Sequence, residues 1–140
     1  MIYLDTSAAV PLFVPEPASE RVVTWFATCA DPVVAADWIV PEFASALALK
    51  ARRGEITAGD MRVLWSEFER FGGTGLRLIP VTRMAFADAA RMVCEAASGL
   101  RAGDSLHLAV ALEVGATHLA TVDATLAANA KRRGLPTIEF

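Results

Sequence analysis

Cysteine is scarce in this chain of 140 residues, which has only Cys29 and Cys94 and no histidine cluster beside either. That excludes a disulfide framework and a finger-type zinc site. Each cysteine lies in an apolar helical pattern, so both are expected as small buried thiols in a reducing cytoplasm. Long apolar runs are also missing. No uncharged stretch reaches the roughly 18–20 residues that a bilayer crossing requires. The apolar start Ile2–Val14 carries Asp5, is broken by Pro11 and Pro15, and has no basic lead-in, which does not fit an export signal. Basic excess is absent as well: the formal net charge is −3, against the usual footprint of a nucleic-acid binder. What is present is 54% hydrophobic residues. At this length a folded chain buries about 68–70% of its unfolded surface, so one domain over residues 1–140 can form a core without staples.

Short β-branched or apolar runs alternate with longer helical patterns. Strands are predicted at Ile2–Leu4, Val33–Ala35, Leu76–Val81, His118–Thr121 and Thr137–Ile138. The clearest helix is Ala58–Phe71, with Thr57 as N-cap and Asp60 three residues on. Met61, Leu64, Trp65, Phe68 and Phe71 form its stripe, and Gly72-Gly73 is its expected stop. Other helices are predicted at Ala8–Phe13, Ala18–Thr28, Trp38–Arg53, Met84–Ser98, Ser105–Val114 and Thr125–Arg133. Strands separated by helices call for right-handed parallel crossovers. The expectation is an α/β fold, a three-layer α/β/α sandwich around a parallel sheet of about five strands.

In such a sheet ligands bind beyond the carboxyl ends of the strands. Asp5 follows the first strand, Asp123 follows the fourth, and Glu42 sits early in the helix after the second. Asp104 opens a helix that runs back from the same edge. Taken singly, each acid is accounted for by helix capping or the helix dipole. Glu42 resists that account, because it lies among Trp38, Ile39, Val40, Phe43 and Leu47, where an uncompensated carboxylate is costly. Four acids at one edge repel, and divalent cations are the simplest remedy. Ligation by oxygen alone favours Mg²⁺ or Mn²⁺ over zinc. A pair of such ions about 3.5–4 Å apart suits in-line displacement at a phosphodiester. Thr6, Ser7 and Thr121 are candidates for orienting ligands or water, with local turns as the other account of them.

These residues resemble the PIN-domain ribonucleases of the VapC toxin type. The resemblance is carried by Ile2-Tyr3-Leu4-Asp5-Thr6-Ser7, by Glu42 in Pro41-Glu42-Phe43, by Leu100-Arg101-Ala102-Gly103-Asp104-Ser105-Leu106-His107-Leu108-Ala109, and by Thr121-Val122-Asp123. The blocks span the chain in order and spacing. The resemblance implies an Mg²⁺- or Mn²⁺-dependent endoribonuclease, the toxin of a toxin–antitoxin pair, with Asp5, Glu42, Asp104 and Asp123 as its acidic set and Thr121 supporting them. It also implies an RNA substrate, a homodimer and a cognate VapB-like antitoxin. Gly103 departs from the pattern, which often has a bulkier residue there.

Setting the four acids aside leaves 12 acidic against 13 basic residues, so the charge deficit lies in the site itself. Arg52-Arg53 and Lys131-Arg132-Arg133 end helices, where the dipole explains them as well as RNA contact does. Arg83 and Arg101 are the better phosphate candidates. His107, one turn after Asp104 in an apolar helix, is read as a hydrogen-bonded packing residue, and His118 as structural. The aromatic stripes are read as core or interface, and Trp25, Phe26, Trp65, Phe68 and Phe71 outnumber what a sheet face obviously needs. A receiver-like signalling domain would need a lysine after a strand, but Lys50 and Lys131 lie late in helices. An Asp-x-Asp phosphatase fails because Thr6-Ser7 follow Asp5. A catalytically silent RNA- or partner-binding module has no motive while the acidic set is complete.

Overall fold

Alternating side chains along the strands set the layers. In the computed structural model, which describes residues 1–140, the strands are β1 (Ile2–Leu4), β2 (Val33–Ala36), β3 (Arg77–Ile79) and β4 (His118–Ala120). All pair in parallel in the order β3-β2-β1-β4. Ile2, Leu4, Val33, Ala35 and Ala120 point to one face, and Tyr3, Val34, Ala36 and Leu119 to the other, as a period of two requires. The first face is covered by α1 (Thr6–Ala9), α2 (Ser19–Thr28), α3 (Ile39–Arg52) and α4 (Ala58–Thr74); the second by α5 (Arg83–Cys94), α6 (Ala102–Glu113) and α7 (Ala124–Arg132). Helices thus sandwich a central parallel sheet. Four strands are formed where about five were expected: Thr137 keeps a single parallel bridge to Leu119, just after Pro136.

Local chemistry explains most boundaries. The Thr57–Asp60 capping box forms, with Asp60 accepting from the Thr57 N–H at 2.9 Å and Thr57 Oγ1 from the Asp60 N–H at 3.0 Å. The expected stop at Gly72-Gly73 does not hold. α4 runs through both glycines to Thr74, because Phe71 is anchored against Phe13 and Phe26, a tertiary contact that outweighs the weak helix propensity of glycine. α6 begins three residues before the expected Ser105, so Asp104 is not the cap but the third residue of the helix, accepting from the Arg101 N–H at 3.3 Å. The aromatic stripes of α2 and α4 pack with Phe13 and Phe43 into the first-face core, Phe43 and Phe68 stacking at 4.0 Å between centroids. Neither cysteine is a buried thiol. Cys29 follows the end of α2 half-exposed, and Cys94 ends α5 exposed, since the helical apolar pattern there turns Ala85 and Ala89 inward instead. No helix is long and apolar enough to cross a membrane.

Candidate active site

The strand order places β1 between β2 and β4, so the chain leaves the sheet in opposite directions from β1's two sides, and a crevice opens at its carboxyl end. A cleft of about 340 Å³ lies there, lined by Asp5, Thr6, Ser7, Glu42, Arg101, Asp104, His107 and Asp123 among others. All four predicted acids therefore share one cleft, brought by β1, α3, α6 and the entry to α7. Thr121 stands directly behind it, buried, while Arg83 does not line it.

Asp5 is almost fully buried, at 3% exposure. Its carboxylate caps α1 by accepting from the Ala8 N–H at 3.1 Å, and accepts from Ser7 Oγ at 2.9 Å and Thr121 Oγ1 at 3.1 Å. Thr121 Oγ1 accepts in turn from the Asp123 N–H at 3.1 Å, and Ser7 Oγ from the Val122 N–H at 3.0 Å. Two hydroxyls thereby stitch the end of β1 to the segment leaving β4. Asp123 caps α7 through the Leu126 N–H at 2.8 Å. Burial pushes the Asp5 carboxyl up to about 6, the nearby His107 and the neutral donors offsetting only part of it.

Glu42 has different company. Its Oε2 accepts from Thr6 Oγ1 at 2.5 Å and from His107 Nε2 at 2.7 Å. Burial raises this carboxyl, but the His107 imidazole, Thr6 and the Trp38 indole together outweigh it and hold the group below the usual range. Asp104 is raised, by its own burial first and then by the neighbouring Asp123, with Glu42 adding to the repulsion and Arg101 opposing it. The cost foreseen for Glu42 is thus met by a residue 65 positions away in sequence, which spacing does not reveal. Gly103 was missed for the same reason. A Cβ there would fall 2.2 Å from Glu42 Oε1, so the departure from a bulkier residue makes room for Glu42.

Lys131 pairs with Glu139 at 2.9 Å, Arg133 with Glu95 at 2.6 Å, and Lys50 with Glu16 at 2.6 Å, whereas Arg101 remains at the cleft. As the side chains stand, no three Asp, Glu, His or Cys groups converge closely enough to hold a metal ion. Each carboxylate is instead engaged by its own local donors. The donor chemistry nevertheless fits a hard divalent cation: four carboxylates and three hydroxyls, no thiol, and one imidazole whose nitrogens are taken by Tyr3 and Glu42.

The PIN domain family model matches residues 2–132, a span that includes every acid of the cleft. The chain belongs to the PIN-domain family. The match ends before the Thr137 bridge. No curated protein sequence matches the chain. Among solved structures, the PIN fold here is similar to VapC20 of Mycobacterium tuberculosis, described as a Sarcin-Ricin loop cleaving toxin, at 17% identity and a TM-score of 0.74 over 92% of this chain and 95% of that one. It is similar to FitAcB of Neisseria gonorrhoeae at 23% identity and a TM-score of 0.76, over 99% of this chain and 97% of that one. VapBC2 of Rickettsia felis, bound to a DNA fragment from its promoter, aligns at 14% identity and a TM-score of 0.66, over 100% of this chain and 99% of that one.

Proposed function

We propose that this PIN-domain chain is a divalent-metal-dependent endoribonuclease, a single nuclease unit over 1–140 that hydrolyses phosphodiester bonds in single-stranded or loop RNA. The observation that carries the reading is the common cleft of Asp5, Glu42, Asp104 and Asp123 at the carboxyl edge of a parallel sheet. These four would hold Mg²⁺ or Mn²⁺, with Mn²⁺ the tighter. The bound ion would supply Lewis acidity for activating water and stabilising the leaving oxygen. The chain's own side chains do the rest. Ser7 and Thr121 fix the Asp5 carboxylate, Thr121 also fixes the backbone of Asp123, and Arg101 at the rim is placed to meet an RNA phosphate.

The similarity to VapC20 and to toxin–antitoxin assemblies supports a role as the toxin of a type II pair, acting in the cytoplasm. A VapB-like antitoxin would place an Arg or Lys against Asp5, Glu42, Asp104 or Asp123, displacing the ion and blocking RNA together. The exposed apolar side chains of α5, Met84, Phe86 and Val93, are where we place the second copy of a homodimer. The experiment is to incubate metal-loaded protein with total cellular RNA and map new 5′ ends, with EDTA-treated protein and Asp104→Asn beside it. New ends in the loaded wild type alone support the reading. Their absence from loaded wild type overturns it.

A further inference from the structure

The single tyrosine and one of the two histidines meet beneath the cleft, and neither is used by the reading above. Tyr3 is fully buried in the central strand and His107 is 2% exposed in α6. A phenol and an imidazole so placed are costly unless every polar atom has a partner. Here each does. The Ala36 N–H donates to Tyr3 Oη at 3.0 Å, Tyr3 Oη lies 2.8 Å from His107 Nδ1, and His107 Nε2 lies 2.7 Å from Glu42 Oε2. Proton accounting gives the chain one direction. Because the Glu42 carboxylate, held below the usual range, can only accept, Nε2 carries the ring proton; in the neutral imidazole Nδ1 is then the acceptor and takes the Tyr3 hydrogen, while Tyr3 Oη accepts from Ala36.

We propose that Tyr3 and His107 form a positioning pair that ties Glu42 to the backbone of β2 and fixes which of its oxygens is left for the cleft. The inference rests on the nuclease reading and deepens it. Glu42 is a long side chain near the start of α3, free to swing toward solvent if nothing holds it. The pair, with Thr6 Oγ1, occupies Oε2 and leaves Oε1 over the bare Cα of Gly103, on the side of the Trp38 indole. A leucine at position 107 would fill the same apolar helix face, yet it could not orient a carboxylate. His107 is therefore a positioning residue for the acidic set, acting through Glu42, as outer partners of metal-binding side chains do.

Glutamine and asparagine separate orientation from packing, because a glutamine amide nitrogen reaches the place of Nε2 and an asparagine nitrogen stops at that of Nδ1. In His107→Asn, Mn²⁺ affinity by calorimetry and kcat on RNA should each fall about 10- to 100-fold. His107→Gln should regain most of both at a comparable melting temperature. Equal behaviour of the two variants, whether both near wild type or both reduced in step with their melting temperatures, overturns the inference. A measurement on the wild type needs no variant to fold. Long-range proton–nitrogen spectra of its two imidazoles, with exposed His118 as internal reference, should show His107 with its proton on Nε2. A proton on Nδ1 alone overturns the chain of donors. Wild-type protein that neither binds Mn²⁺ nor cuts RNA overturns the nuclease reading itself, whereas active wild type with an indifferent His107 overturns only this inference.

Discussion

Asp5 and Glu42 line the same cleft and are displaced in opposite directions. Asp5 is buried among hydroxyls and a backbone N–H, and its carboxyl rises to about 6. Glu42 is also desolvated, yet the His107 imidazole and its other donors carry it below the ordinary range. At the β1–β4 seam the neighbouring His107 and three neutral donors do not offset near-complete burial; at the half-buried α3–α6 side a direct hydrogen bond from His107, with the Thr6 hydroxyl on the same oxygen and the Trp38 indole, does so. The seam is thus the strained half of the cleft, the one that gains most from a bound cation. On the α3–α6 side Glu42 is already held without one, whereas Asp104 is raised as Asp5 is.

The sharpest way to break this comparison is to neutralise one acid from each side. Asp5→Asn and Asp104→Asn should each lower RNA cleavage by about 100- to 1000-fold, the loss of several kcal/mol of charge stabilisation, with circular dichroism unchanged. Full activity of both variants in EDTA-washed, metal-reloaded protein would show that neither carboxylate takes part.

The pH dependence of the metal-free protein tests the seam alone. Unfolded, the Asp5 carboxyl loses its proton near 3.8; folded, it keeps it to about 6. The folded state binds the extra proton across that window, so the stability associated with it is full below about pH 4 and is lost as pH rises through about 6. The loss amounts to about 3 kcal/mol. Glu42, being lowered, contributes with the opposite sign, its share lost as pH falls. Urea titrations of wild type and Asp5→Asn from pH 4 to 7 isolate the Asp5 share as their difference. A difference that does not change with pH would refute the assignment of strain to this carboxylate.

Metal should relieve the same strain. At free Mn²⁺ 100 times its Kd the fold should gain about 2.7 kcal/mol. Asp104→Asn, which removes a charge that Asp123 and Glu42 oppose, should raise metal-free stability and shrink that gain. Thermal melts across a Mn²⁺ series read both, and a wild-type melting temperature independent of Mn²⁺ would mean that the carboxylates form no metal site.

The strained half was the more legible in sequence. Asp5 and Asp123 each follow a strand, so the rule that ligands gather at carboxyl edges finds them, and Thr121 two residues before Asp123 comes with them. Period-two runs gave β1, β2 and β4 for the same reason, whereas the predicted fifth strand shrank to a bridge once Pro136 withheld an N–H beside it. The held half was legible only as a puzzle. Glu42 in an apolar segment announces a missing partner, but Tyr3 and His107 lie 104 residues apart and meet only because β1 and α6 face each other across the second core. Gly72-Gly73 misled because a propensity of about 1 kcal/mol per glycine yields to the packing of Phe71. Gly103 read only as a departure from the pattern, since the absence of a side chain says nothing about what fills its place.

That last residue supplies the mildest perturbation. Gly103 has an ordinary helical backbone, with no positive φ, so alanine is tolerated by the main chain and is the better helix former. Its Cβ would nevertheless fall 2.2 Å from Glu42 Oε1. The carboxylate is the far end of a flexible side chain and can yield, but only by loosening the bonds from Thr6 and His107 that hold Oε2. Gly103→Ala should therefore leave thermal stability within about 1 kcal/mol of wild type, helix gain and lost hydrogen bonding roughly cancelling. Cleavage should fall about tenfold, the equivalent of about 1.4 kcal/mol in the transition state. Shortening the acid in the same chain, as Gly103→Ala with Glu42→Asp, draws the carboxylate back from the new methyl group. If the double variant is no more impaired than Glu42→Asp alone, the two residues are coupled through this contact; if the two losses simply multiply, Glu42 is not what the glycine makes room for.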